Sequence, residues 1–182
     1  MKHELRKLLV HYGQQHATAE SSVIQALELL ASPGEPISRD HFVPGHFTVS
    51  AFVVDTDRRV LLIFHPKLQR WLQPGGHIEP TDSNPIETAR REVLEETGLD
   101  DLQLIHEGLI DFDIHGIPAF GVEPAHQHFD LRFLFRADAR KAYPQPASHV
   151  MQWFSEQDQA IATVESGIIS RAVDSYALVD VR

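Results

Sequence analysis

Hydrophobic residues follow two different spacings along the chain. In residues 1–31 they recur every three to four positions: Leu5, Leu8, Leu9 and Tyr12, then Val23, Ile24, Leu27 and Leu30. That period predicts two amphipathic helices. The first is expected to stop at Gly13 and the second to be capped by Thr18. Ser32-Pro33-Gly34-Glu35-Pro36 ends the second helix. The pair reads as a helical hairpin, an arm over residues 1–41 ahead of a main domain over 42–182. Two uses for the arm stay open: a cover for one face of a sheet, or a dimerisation surface.

From Phe47 the pattern changes to one rich in Val, Phe and Thr. Residues 47–54 and 60–64 read as strands joined by the turn Asp55-Thr56-Asp57, which makes a hairpin. Trp71-Leu72-Gln73 leads through Pro74 into a tight turn at Gly75-Gly76. A helix is predicted from Pro85 to Thr97, with proline suited to its first turn and Gly98 to its stop. Further strands are expected near 102–112, 128–136 and 150–154, and a last helix near 161–176. Helices and strands interleave, so the class is α/β (α+β): a mixed sheet sandwiched between helices, with a helical hairpin at the N-terminus.

The helix at 85–97 carries unusual chemistry. At about 100° per residue, Glu92, Glu95 and Glu96 share roughly a third of its circumference, while Ile86, Val93 and Thr97 form a separate core-facing stripe. Carboxylate oxygens packed this closely repel one another, and they are the donors that Mg²⁺ and Mn²⁺ prefer. Arg91 is placed to pair with a neighbouring carboxylate and hold it. A lone Glu-x-x-Glu-Glu is more often a solvated helix face with salt-bridged neighbours. Here the glycine turn, the loop acid Asp82, Arg91-Glu92, Glu95-Glu96 and Gly98 occur together and in order.

Bulk properties narrow the classes. With 182 residues and no apolar run long enough to span a bilayer, the chain fits one ordinary domain with an appendage, and no membrane partner is expected. The start Met1-Lys2-His3-Glu4 lacks the apolar stretch of a secretory signal. The absence of cysteine excludes disulfides, thiolate metal sites and a cysteine nucleophile, and accords with the cytoplasm. A net charge of -10 is the wrong sign for a general nucleic-acid binder. A small phosphate compound is still accessible if metal ions and a few basic residues reverse the sign locally.

The segment from Gly76 to Leu99 resembles the Nudix box of the Nudix hydrolases. Gly76 matches its opening glycine, and Arg91, Glu92, Val93, Glu95, Glu96, Gly98 and Leu99 match its second half. With the flanking strands, the resemblance covers roughly residues 42–160. There are two departures: the family's loop Glu is Asp82 here, and eight residues rather than the family's seven separate it from Arg91. The extra residue falls near Ser83-Asn84. The resemblance implies metal-dependent hydrolysis of a diphosphate linkage in a nucleoside diphosphate joined to another group, with nucleoside diphosphate sugars and ADP-ribose foremost. It implies Mg²⁺, with Mn²⁺ as an alternative, on Glu92, Glu95, Glu96 and the main chain of Gly75, and a catalytic role for Glu92 and Glu96. Asp82 and Arg91 would support them. A homodimer is expected by the same analogy.

A proton acceptor is sought in the stretch 121–130. Glu123 lies in a loop flanked by Gly and Pro and is the catalytic candidate. His126 and His128 alternate, so on a strand they share a face, with Asp130 following. Three readings stay open for the two histidines: substrate contacts, an additional metal site, or an outward polar face behind Phe129, Leu131, Phe133 and Phe135. His77, directly after the glycines, is a candidate to face the phosphates. Rival functions are RNA 5′-pyrophosphohydrolysis, dinucleoside polyphosphate hydrolysis, and a nucleotide-sensing module that binds without cutting.

Overall fold

The computed structural model describes residues 1–141, 150–155 and 158. The helix expected near 161–176 lies outside them. Two helices, α1 (Lys2–Gln15) and α2 (Glu20–Ala31), precede strands β1 (Gly45–Val54), β2 (Val60–His65), β3 (Arg70–Leu72) and β4 (Gly75–His77). Helix α3 (Pro85–Thr97) follows, then β5 (Gln103–Leu104), β6 (Asp111–Ile117), β7 (His126–Arg136) and β8 (Val150–Phe154). The fold is α/β, a mixed sheet with three described helices.

The sheet is built around β1 and β7, which run parallel through ten in-register pairs from Gly45–Gln127 to Val54–Arg136. The other edge of β1 is shared. β4 pairs antiparallel at Thr48–Ser50, and β2 joins only at Val54–Val60. The expected hairpin therefore closes at its tip alone, because the strand carrying the two glycines takes the remaining edge. Gly75-Gly76, expected as a tight turn, is ladder. The expected strand near 102–112 is two strands, β5 and β6, both on the far edge of β7.

Odd-numbered residues of β1 and β7 face one core: Phe47, Val49, Ala51 and Val53 with Phe129, Leu131, Phe133 and Phe135. All three helices pack into this cluster, through Leu5, Leu9 and Tyr12, through Val23, Ala26, Leu29 and Leu30, and through Ala89 and Val93. Five phenylalanines (47, 52, 129, 133 and 135) are fully buried, each contributing roughly 1.5–3 kcal/mol relative to exposure. The N-terminal pair thus shares the sheet's own core. Its details depart from expectation. α1 runs through Gly13, where a Cβ would sit 3.2 Å from Val23 Cγ1, so the glycine lets the two helices approach. Thr18 lies in a 3₁₀ turn over Ala17–Ala19, and α2 starts after it with Ala19 at its cap. Ile24 is exposed, and Ala26 and Leu29 take the buried positions.

The even-numbered face is half apolar and half polar. Phe52, Val54 and Leu134 pack with Val60, Leu62, Ile110 and Phe154. Towards the start of the strands the same face carries His46, Thr48 and Ser50 beside His126, His128, Asp130 and Arg132. This polar half is not the outward surface that alternation alone implies: His46, Asp130 and Arg132 are buried.

Candidate active site

Local sequence fixes α3 at both ends. The Asn84 side chain accepts from the Ile86 and Glu87 amides, Pro85 occupies the first turn, and the helix stops at Gly98, which is left-handed (φ 78°). The residue added to the loop thus falls where the helix is capped. Val93 and Thr97 are buried and Ile86 partly so, which turns the glutamates towards β4.

Arg91 organises the loop and the helix. Its Nε and Nη2 donate to the two oxygens of Asp82, both at 3.0 Å. Its Nη1 donates to Glu92 at 2.8 Å and to Glu95 at 3.2 Å, and Nη2 also reaches the His77 carbonyl at 2.8 Å. Asp82 therefore spans the longer loop in spite of its shorter side chain. Burial pushes its carboxyl up, but hydrogen bonds from Arg91, the Glu79 amide and Thr88 outweigh this and hold it below the ordinary value.

Glu92 and Glu96 lie against β4. A Cβ on Gly76 would fall 2.6 Å from Glu92 Oε1, so glycine is what allows this carboxylate to lie on the strand. The Gly75 amide donates to Glu96 at 3.1 Å. Burial raises the pKa of Glu92, partly offset by Arg91. Glu96 is raised to about 7, chiefly by burial, with the Gly75 amide opposing and the charges of Glu92 and Glu95 adding to the rise. Glu95 is more exposed. Oxygen donors held together in this strained charge state fit a hard divalent cation, which would relieve both the burial and the repulsion.

The other candidates gather on the opposite side of β4. His77, Glu123, His126 and His128 line one cavity of about 80 Å³ with Arg39, Phe42, His46 and Ile117. The glutamates of α3 are not among its lining residues. Glu123 stands on the loop between β6 and β7, paired with Arg39 at 3.4 Å. The His77 ring lies 5.0 Å from that of His46 and 5.5 Å from that of His128. Burial lowers the pKa of His77, and the charges of Arg39 and Arg91 lower it further while Glu123 opposes them.

Sequence reasoning missed His46, Arg39 and Phe42. A signal for His46 was present: His46, Thr48 and Ser50 alternate with Phe47, Val49 and Ala51, the same period-two pattern read on β7. Deeper on that face Arg132 is enclosed by Asp111, Asp113 and Asp130 at 2.9, 3.0 and 2.9 Å.

A model of the NUDIX domain matches residues 44–169. The chain belongs to the Nudix family. The enzymes of this family are hydrolases, and the match takes in the whole Gly76–Leu99 segment. A Nudix hydrolase from Clostridium perfringens is 29% identical over 73% of this chain and 97% of that one, with a TM-score of 0.53. The NUDIX domain of Shewanella oneidensis NrtR in complex with ADP ribose is 20% identical (82% of this chain, 97% of that one, TM-score 0.53). An ADP-ribose pyrophosphatase from Streptococcus suis is 17% identical (71% and 90%, TM-score 0.53). The latter two share the Nudix fold at identities that show no more than the fold. No curated protein matches the chain. No described helix of this Nudix protein is long and apolar enough to cross a membrane.

Proposed function

We propose that this Nudix protein hydrolyses the diphosphate linkage of a nucleoside diphosphate joined to a second group, with nucleoside diphosphate sugars and ADP-ribose the first substrates to test. The observation that carries the reading is the setting of Glu92 and Glu96: two carboxylates pressed onto β4, with raised pKa values and Glu95 beside them. Glu92, Glu95, Glu96 and the Gly75 main chain would hold Mg²⁺ or Mn²⁺. A divalent ion there would neutralise diphosphate oxygens and make a bound water more acidic.

The protein's own groups do the positioning. Arg91, anchored on Asp82, fixes the Glu92 carboxylate and ties α3 to the His77 carbonyl. His77 presents its ring to the cavity and is the proposed contact to the phosphates. His126 and His128 line the same cavity, where the group linked to the diphosphate would lie. Glu123, held by one exposed ion pair to Arg39, is the proposed proton acceptor, since it can move without disturbing the core. Two named structures of the same fold involve ADP-ribose, which accords with this choice. The net charge of -10 disfavours an RNA substrate, and the retained glutamates disfavour a module that only senses nucleotide.

The test is a mass-resolved hydrolysis screen of nucleoside diphosphate sugars, ADP-ribose and dinucleoside polyphosphates with Mg²⁺ and Mn²⁺, run in ¹⁸O-water to locate the phosphorus attacked. Glu96→Gln should lower turnover at least ~100-fold while the fold persists. Near-normal turnover in that variant refutes the ligand assignment. Tight nucleotide binding with no turnover under either metal refutes the hydrolase reading itself.

A further inference from the structure

We propose that His46, His126 and His128 form a second metal site, a three-nitrogen centre for a borderline-soft divalent ion of the Zn²⁺ type, separate from the oxygen site on α3. The inference stands independently of the hydrolase reading.

Strand register makes the site. His46 and His128 are direct partners in the parallel β1–β7 ladder, and His126 is two residues before His128, so pleating puts all three rings on one face. Their centroids form a near-equilateral triangle with sides of 4.9, 5.0 and 5.2 Å. One ring nitrogen from each lies within 4.8 Å of the other two. His126 Nε2 and His128 Nε2 are 3.3 Å apart. Two tetrahedral ligands with zinc–nitrogen bonds of about 2.0–2.1 Å are separated by about 3.3 Å, so this edge already has the required length.

The hydrogen bonds choose the ligating atoms. His46 Nδ1 bonds the His41 carbonyl at 3.2 Å and His126 Nδ1 bonds the Pro124 carbonyl at 2.8 Å. A carbonyl only accepts, so each Nδ1 carries the hydrogen and each Nε2 of a neutral ring keeps its lone pair. A backbone carbonyl on the far nitrogen is the arrangement that orients metal-bound histidines. His46 Nε2 is buried and has no hydrogen-bond partner, a cost that a metal bond would remove. His128 Nε2 contacts His126 Nε2 through one shared hydrogen. On ligation that hydrogen moves to His128 Nδ1, and the ring stays neutral.

The surroundings accord with a cation of this kind. Burial, the backbone contact and the neighbouring histidines leave the His46 pKa at about 4; burial and its histidine neighbours lower His128 to about 2. Both rings are therefore neutral, as ligands must be. Phe42 packs edge-on against His126 at 5.1 Å and closes one side. His77, Glu123 and Arg39 line the remaining space, which leaves room for a fourth ligand: a water, Glu123, or an oxygen of a bound substrate. Nitrogen donors favour Zn²⁺ and Co²⁺ over Mg²⁺, so the two centres in one chain would select different ions.

The experiment uses the full chain stripped of metal, with Glu92→Gln and Glu96→Gln removing the oxygen site. Titration with Co²⁺ should give one ion per chain and the strong visible absorption of a low-coordinate nitrogen site. Zn²⁺ should bleach it and Mg²⁺ should not. Adding His128→Gln should weaken Zn²⁺ binding by more than the about 10–100-fold that loss of an outer partner costs. Because replacing a buried strand residue can disturb folding, imidazole ¹⁵N spectra of the unmodified protein provide the second measurement. One equivalent of Zn²⁺ should move the Nε2 signals of His46, His126 and His128 together. Less than one bound Co²⁺ per chain in the double variant, or unmoved ring signals with Zn²⁺ in excess, overturns the proposal.

Discussion

Arg132 and Arg91 each sit among three carboxylates, Asp111, Asp113 and Asp130 in one case and Asp82, Glu92 and Glu95 in the other. Around Arg132 every aspartate has at least two donors. Asp130 accepts from Thr48, Ser50 and Arg132. Asp111 accepts from Tyr12 and Arg132, and Asp113 from Arg132 and His115. The hydrogen bond from His115, opposed by burial, leaves Asp113 below the ordinary value. In the loop before α3, Asp82 takes two bonds from Arg91 and is held below its ordinary value, while Glu92 and Glu96 on the helix have raised pKa values. The strand cluster is closed by protein donors and serves packing. The helix cluster instead holds carboxyls with raised pKa values against β4, which is why it is the proposed cation site.

The largest effect expected from breaking this contrast is on stability. Arg132→Met leaves the buried Asp111 and Asp130 and the part-buried Asp113 without their cation and should cost about 3–5 kcal/mol in urea unfolding. A loss below about 1 kcal/mol would mean that the strand cluster is not closed by that arginine. Gly76→Ala should weaken Mn²⁺ binding at least about tenfold (about 1.4 kcal/mol), because the added methyl takes the place of the Glu92 carboxylate; calorimetric titration reads it. Unchanged affinity would remove Glu92 from the ligand set.

Protonation offers a subtler probe. With its pKa at about 7, Glu96 of the metal-free protein binds a proton as pH falls through neutrality, and that proton competes with metal. Mn²⁺ affinity should be nearly level well above pH 7 and fall by up to about tenfold per unit below it. A flat profile between pH 8 and 6 contradicts the placement of Glu96. The smallest effect belongs to Glu95→Gln. Its 55% exposed side chain pairs with Arg91 at 3.2 Å, and thermal stability should change by less than about 1 kcal/mol.

How much of this was readable in the sequence depended on whether the cause was local. Helix α3 was predicted with the bounds observed because Pro85 and Gly98 act within one turn. In sequence, β4 reads as a turn because two glycines carry no strand signal, and its pairing with Thr48–Ser50 is made by the rest of the sheet. Gly13 reads as the end of a helix that in fact continues through it, since contact with Val23 across the hairpin cannot be seen in neighbouring residues. The glutamates were found through spacing along one helix. His46 lies 80 residues before His126, and only the parallel ladder brings them together.

His77 has one more consequence. Its carbonyl is held by the arginine that anchors Glu92 and Glu95, and its ring borders those of His46 and His128. The residue therefore belongs to both neighbourhoods through different atoms. A carbonyl label and a ring label on this single histidine would give two resonances, one following events on the α3 side of the strand and the other those in the cavity. Filling the two proposed centres in either order would show whether three residues of strand insulate them or make each aware of the other.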